Sequence, residues 1–110
     1  MKNLEQATRF GAPTAGANHF SEHLRVPAMS VGTYSIPRDG LDDQVPHAED
    51  EIYVVISGRG AFTSGDDTVS VEPDTTLYVP AYERHRFHDV TEDLVILVIF
   101  APPYSGRHDQ

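Results

Sequence analysis

Two short groups in the sequence contain residue types that could bind a metal ion. His47 and Glu51 stand four residues apart, directly before an apolar and β-branched run from Ile52 to Ile56. The second group, RHRFHD over residues 84–89, contains His85 and His88. Imidazole and carboxylate groups are ligands for divalent transition metals. We interpret the two groups as halves of one site, which the strands that carry them must bring together.

Each of these residues also has a simpler interpretation. His47 alone fits a solvated turn histidine, and Glu51 is the last of three acids, of which we expect Glu49 and Asp50 to be solvated. A glutamate directed into a core needs a partner, because an unpaired buried carboxylate is costly. His85 and His88 are three residues apart, so only one of them can point inward on a regular strand.

The elements that would position these residues are short strands. Apolar and β-branched segments alternate with turn signals, and no window has a convincing helical stripe. Asp39-Gly40 is a hairpin signal, and Gly58 with Gly60 and the triplet at 91–93 predict further turns. The candidate strands are residues 19–26, 29–36, 52–56, 61–64, 68–71, 76–79, 84–90 and 94–101. This pattern predicts an all-β sandwich or a closed barrel of the jelly-roll type.

The domain boundaries follow from the same pattern. At 110 residues the chain is long enough for one domain with a real core. Residues 1–18 lack periodicity and predict a flexible or loosely docked N-terminal arm. We expect the barrel to occupy residues 19–104 and a polar tail to occupy residues 105–110.

Composition excludes several classes of function. With 17 acids against 8 bases the net charge is -9, which disfavours nucleic acids and anionic membranes as partners. The absence of cysteine excludes disulfides and thiolate zinc sites and fits a cytoplasmic location. The longest apolar run, residues 94–101, is too short to span a bilayer, which takes about 20 residues. Neither a phosphate-binding glycine loop nor a Gly-x-Ser-x-Gly elbow is present.

The spacing of the two groups resembles the paired motifs of the cupin superfamily. In the first motif a His-x-His pair precedes a glutamate and, six residues further, a glycine; His47, Glu51 and Gly58 match. In the second motif a proline precedes a histidine at fixed spacing, and Pro80 and His85 match. The resemblance covers about residues 29–101 and implies a cupin-type jelly-roll β-barrel.

The chain departs from these motifs at several positions. Val45 replaces the first histidine of the pair, and the leading glycine is one residue out of place at Gly40. In the second motif Asp74 and Tyr82 replace glycines, and Asp89 replaces the final asparagine. Aspartate tolerates a left-handed turn, whereas a tyrosine there predicts a longer or differently shaped turn.

The resemblance implies a metal site. Carried over by position, His47, Glu51 and His85 are the expected ligands, and Gln44 is the candidate that would replace the missing imidazole. Two imidazoles and one carboxylate compose the facial triad that binds Fe(II), and Mn, Ni, Co or Zn also accept such ligands. For Gln44 the alternative is a polar loop residue.

The resemblance also implies a class of function. We expect an enzyme of dioxygenase, isomerase or lyase type that acts on a small molecule inside the barrel, with Tyr53 and His88 contacting the ligands or the substrate. The alternatives are that Tyr53 fills the core and His88 is a surface residue. The second functional hypothesis is a non-catalytic binding or sensor module, with or without metal. Cupins commonly pair, and we expect a homodimer.

Overall fold

The computed structural model describes residues 1–11, 19–42 and 45–106, and within these residues all regular structure is β-strand. The six strands are β1 His19–Val26, β2 Met29–Ile36, β3 Asp50–Ser64, β4 Asp67–Val71, β5 Thr76–Val79 and β6 His85–Ala101. The predicted all-β fold is confirmed. A search of the described residues finds no helix that is long and apolar enough to cross a membrane.

The strands form one antiparallel sheet whose order places β6 at the centre. The order is β1-β2-β6-β3-β4, and β5 pairs with β3 on the side away from β6. The side chains of the inner face form a single hydrophobic core. It comprises Tyr34, Ile36, Tyr53, Val55, Phe62, Val71, Val79, Phe87, Val90, Leu94, Ile96, Val98 and Phe100. Because β6 has partners on both sides, its apolar run is not an open edge.

The predicted strands at 52–56 and 61–64 are one continuous strand, β3, so the predicted turn at Gly58 and Gly60 is wrong. Three register irregularities against β6, between Val55 and Ala61, occur instead of a turn. Such irregularities bend and twist a strand without ending it. The first half of β3 therefore pairs with β5 and its second half with β4.

The turn predicted at residues 91–93 is also wrong, because β6 runs through it as one 17-residue strand. Its long pairing with β3 stabilises an extended backbone where the local sequence favours a turn. The hairpin predicted at Asp39-Gly40 is wrong as well. Gly40 N donates to Pro37 O at 2.7 Å in a local turn, but β2 pairs with β1 and β6 rather than with the strand that follows.

Residues 1–11 of the predicted arm lie against the outer face of β2. Thr33 Oγ1 donates to the carbonyl of Ala7 at 2.5 Å, and Gly11 N donates to Ser35 Oγ at 2.9 Å. The side chain of Ala7 is buried. This part of the arm is docked, and residues 12–18 lie outside the described residues.

Gly58 lies where the backbone of β3 is close to the backbone of β6, and a side chain does not fit there. Its φ is +94°, and a Cβ there would lie 2.2 Å from Asp93 O. We predict that Gly58→Ala lowers the free energy of unfolding by more than about 3 kcal/mol, because backbone strain adds to a clash with backbone.

Gly65→Ala is the matched control for the backbone conformation. Gly65 also has a positive φ, +58°, but its added Cβ would come no nearer than 3.8 Å to another residue. We expect Gly65→Ala to lower the free energy of unfolding by about 1 kcal/mol. Urea denaturation of both variants measures the difference, and equal losses would contradict a steric requirement at Gly58.

Candidate metal centre

The structure brings His47, Glu51 and His85 together at one end of the barrel interior. One ligand atom from each lies within 4.8 Å of the other two. His47 Nδ1 is 2.7 Å and His85 Nε2 is 3.3 Å from Glu51 Oε1. All three residues are at most 4% exposed. We call them the His–Glu–His cluster; among the described residues no other group of histidine and acidic side chains meets the same distance criterion.

Alternation along β3 explains why Glu51 points inward. Burial alternates at residues 47, 49, 51, 53 and 55, so every second side chain from His47 onward faces the interior. Tyr53, two residues after Glu51, is fully buried on the same face. Glu51 and Tyr53 therefore share the inward face of β3.

The hydrogen bonds of His85 determine which of its nitrogens faces the cluster. Its Nδ1 lies 2.8 Å from Glu83 O, and a carbonyl can only accept, so Nδ1 carries a proton. Nε2 lies 2.9 Å from the hydroxyl of Tyr53 and faces Glu51. A histidine whose outer nitrogen is held by a carbonyl and whose inner nitrogen is open to a cation is typical of metal ligands.

A backbone hydrogen bond between the two motifs positions His47. Tyr82 N donates to His47 O at 2.8 Å, which ties the loop before β6 to the segment before β3. Tyr82 has φ +67°, so it adopts the left-handed conformation usually taken by the glycine that it replaces. Asp74, which replaces the other glycine, has φ +79°. In both turns a residue other than glycine therefore adopts a backbone conformation that favours glycine.

The cluster lies among aromatic rings. His47 packs edge-on against Phe100 at a centroid distance of 5.4 Å, and His85 contacts Phe62 at 6.0 Å. Within these surroundings Glu51 Oε2 is buried and has no hydrogen-bond donor among the described residues. A buried carboxylate oxygen without a donor is costly, and a bound cation would remove that cost. The donor types, their proximity and this oxygen all fit a divalent transition metal.

Glu49, expected to be solvated, is 2% exposed, so that prediction is wrong; Asp50 is exposed as expected. Glu49 Oε2 accepts from Ser105 N at 3.2 Å and from Ser105 Oγ at 2.5 Å. Its Oε1 is buried without a partner among the described residues. The spacing of two between His47, Glu49 and Glu51 was the signal in the sequence for this burial.

Tyr104 was also missed by the sequence analysis. Its ring stacks on Phe100 at 4.8 Å and meets the ring of His47 edge-on at 5.6 Å. Its backbone is held by Ser30 Oγ, which accepts from Tyr104 N, and by Arg25, whose Nη2 donates to Tyr104 O. We call residues 102–105, which follow β6, the C-terminal strap. Partial burial, and then the charges of Glu49 and Glu51, raise the pKa of Tyr104, so its phenol stays neutral at neutral pH.

Of the other predicted site residues, His88 lies away from the cluster and Gln44 is not among the described residues. His88 is on the opposite face of β6 from His85, where Nε2 lies 2.7 Å from Thr63 Oγ1 and Nδ1 lies 2.8 Å from Asp89 Oδ2. Val45, at the position of the missing histidine, is 46% exposed. Gln44 lies outside the described residues.

Comparison with known proteins identifies the family of the chain. The sequence profile of the cupin domain matches residues 32–100. The chain belongs to the cupin family. A Streptomyces coelicolor relative, described only as an uncharacterized protein, is 46% identical over 86 residues, which cover 78% of this cupin and 82% of the relative. A Methanocaldococcus jannaschii relative is 32% identical over 60 residues, 54% of this cupin and about half, 48%, of its own length.

Solved structures share the fold at low identity. TT1209 from Thermus thermophilus superposes on this cupin with a TM-score of 0.75 at 17% identity, covering 94% of this chain and 97% of that one. KdgF from Halomonas gives 0.75 at 14% identity, with coverage of 90% and 92%. A mannose-6-phosphate isomerase candidate from Ralstonia eutropha gives 0.70 at 23% identity, with coverage of 92% and 96%.

The contact between Ser105 and Glu49 should hold the C-terminal strap over the cluster. We predict that Ser105→Ala raises the hydrogen-exchange rate of the Tyr104 amide roughly tenfold or more, because a hydrogen bond to a carboxylate contributes about 1.5–3 kcal/mol. Exchange resolved by residue, measured by NMR, reports this local opening.

Core amides such as that of Ile96 should exchange at the wild-type rate in the same variant. Ser70→Ala, at an exposed serine of β4, is the matched control and should leave Tyr104 unchanged. Wild-type exchange at Tyr104 in Ser105→Ala would show that the hydrogen bond between Ser105 and Glu49 does not hold the strap.

Proposed function

We propose that this cupin is a metal-dependent enzyme that acts on a small molecule at the inner end of its barrel. The observation that carries the proposal is the buried His–Glu–His cluster, in which Glu51 Oε2 has no donor among the described residues. His47, Glu51 and His85 would hold the ion, and Gln44 remains the proposed fourth ligand. Iron, manganese, nickel, cobalt and zinc all suit this donor set.

A divalent metal bound there would supply Lewis acidity toward a coordinated small molecule. The residues of the chain would orient and enclose that molecule. The hydroxyl of Tyr53 lies 2.9 Å from His85 Nε2, so it would lie beside a molecule coordinated there and help to orient it. The rings of Phe100 and Tyr104 would limit the access of water. Reactions of isomerase, lyase or dioxygenase type are consistent with these roles.

A non-catalytic binding or sensor module is the second candidate. It is favoured by the missing fourth histidine, since Val45 is exposed and contributes no ligand atom, and by the strap across the cluster. An activity that tracks metal loading would exclude this candidate. Ligand binding without turnover at full metal loading would support it.

We predict that His47→Ala and Glu51→Ala each lose more than tenfold in metal affinity, because a three-ligand set loses one donor. Wild-type protein should bind about one ion per chain. Elemental analysis after loading with each of the five metals in turn, followed by dialysis, measures the stoichiometry. Circular dichroism of each variant separates ligand loss from unfolding.

His88→Ala is the matched control, since its imidazole is on the other face of β6, and it should keep wild-type metal content. Val45→His, which restores the missing imidazole at an exposed position, should tighten binding, whereas Gln44→Ala should weaken it. Equal metal content in wild type, His47→Ala and Glu51→Ala would refute the proposed site.

We also propose a homodimer, formed through the outer face of β3, β5 and β6. Register pairs Ile52 with both Ile99 and Tyr78, and Val54 with Leu97, so these side chains share the outer face. They are partly or largely exposed, and Tyr78 is 61% exposed. A contiguous apolar patch of this kind is typical of an association surface.

We predict that wild-type protein at micromolar concentration has twice the chain mass of 12.2 kDa by light scattering. Tyr78→Glu should shift it to the single-chain mass, since an unpaired charge would be buried in the interface. Val69→Glu, at an exposed residue of β4, adds the same charge elsewhere and should stay dimeric. A single-chain mass for the wild type would refute the dimer.

A further inference from the structure

A cavity lies outside the barrel, between the docked arm and the outer face of β1 and β2. Its volume is about 170 Å³. The arm contributes Gln6, Arg9, Phe10 and Gly11, and the two strands contribute His19, Ser21, His23, Thr33 and Ser35. It is separate from the His–Glu–His cluster, because Thr33 and Ser35 are on the face of β2 opposite the core residues Tyr34 and Ile36.

The charge of this cavity is opposite to that of the chain. The sequence contains 17 acids and 8 bases, yet among the described residues the cavity is lined by one arginine and two histidines and by no carboxylate. Arg9 makes no ion pair with any carboxylate in the described part of the chain. In a chain of net charge -9, a cationic side chain left unpaired beside a cavity favours an anion.

The strand pattern explains why the histidines share this cavity. His19 and Ser21 alternate onto one face of β1, opposite Ser35 and Thr33. A bulge between Glu22 and Leu24 leaves His23 without a paired residue, and its side chain lines the cavity with the others. Bulges commonly redirect a side chain in this way.

The hydrogen bonds beneath the cavity determine which lining group still has a proton to donate to a ligand. Thr33 has one hydroxyl proton, which it donates to Ala7 O, since a carbonyl can only accept. His23 Nε2, 2.7 Å from Thr33 Oγ1, must therefore be the protonated nitrogen that donates to that oxygen. Ser35 Oγ already accepts from Gly11 N, so the hydroxyl proton of this nearly fully buried serine is left to donate. The Arg9 guanidinium adds donors in a fixed fork that matches carboxylate and phosphate oxygens.

We propose that this cavity binds a small oxyanion, a phosphate or carboxylate group, through Arg9, His19 and the hydroxyl of Ser35. Its volume suits a small group rather than a drug-sized ligand, for which pockets are typically about 300–1,000 Å³. The site is independent of the proposed metal centre. Occupancy would connect the arm to β1 and β2 and thereby stabilise the docked arm.

The test is a titration of full-length, ¹⁵N-labelled protein with inorganic phosphate. Phosphate replaces chloride in the buffer, so that the ionic strength stays constant. We expect saturable shifts of the Gly11, Ser21 and Ser35 amides. Arg9→Gln should weaken binding roughly tenfold or more, the loss of one charge-assisted contact. A parallel titration with acetate distinguishes the two sources, since tighter binding of either anion assigns the group.

Arg86→Gln is the matched control, because Arg86 is exposed on the half of β6 that does not pair with β2, and its loss changes the net charge equally. It should bind phosphate as wild type does, and so should His47→Ala, which removes a ligand of the proposed metal centre. The absence of saturable shifts would overturn the proposal. So would equal weakening by Arg9→Gln and Arg86→Gln, which would indicate a net-charge effect only.

Discussion

The main constraint on the structure is the carboxylate of Glu51, which is buried among aromatic side chains in the barrel interior. Glu51 is 1% exposed and has an imidazole on two sides, at 2.7 and 3.3 Å from one of its oxygens. Taking a carboxylate out of water costs several kcal/mol unless opposite charge or donors compensate. Both histidines must therefore be held in place, and much of the local structure serves that purpose.

Backbone groups hold those histidines. The carbonyl of Glu83 accepts from His85 Nδ1, and the amide of Tyr82 donates to the carbonyl of His47. Each bond comes from the short loop between β5 and β6, so one loop orients both imidazoles. The strain of a left-handed tyrosine at φ +67° is compensated by the contacts of this loop. Structures that hold functional groups in fixed positions often contain such backbone outliers.

The C-terminal strap adds a second buried carboxylate to the same end of the barrel. Glu49 binds Ser105 across 56 residues of sequence, and Tyr104 packs against His47. Two carboxylates and two imidazoles thus lie close to one another under a neutral phenol. The docked arm covers a different face, where it contributes the cationic side chain of Arg9 to the cavity lining. The carboxylates of Glu49 and Glu51 and the guanidinium of Arg9 are therefore on separate surfaces.

The sequence by itself determined the cupin fold and three residues of the cluster, since alternation and motif spacing are local properties that survive folding. It also gave the bounds of β1, β2 and β5, which are bordered by turn residues or proline. It failed at residues 57–60 and 91–93, where strand pairing overrides local turn propensity, because a bulged strand retains most of its ladder bonds.

Only the tertiary structure decided the surroundings of the cluster. The burial of Glu49 and the position of Tyr104 depend on where the chain returns after β6, and no local pattern encodes a contact between residues 49 and 105. The cavity beneath the arm likewise arises from contacts between residues 24 or more positions apart. Residue type and spacing specify which groups can do chemistry, whereas the long-range pairing of strands specifies which of them meet.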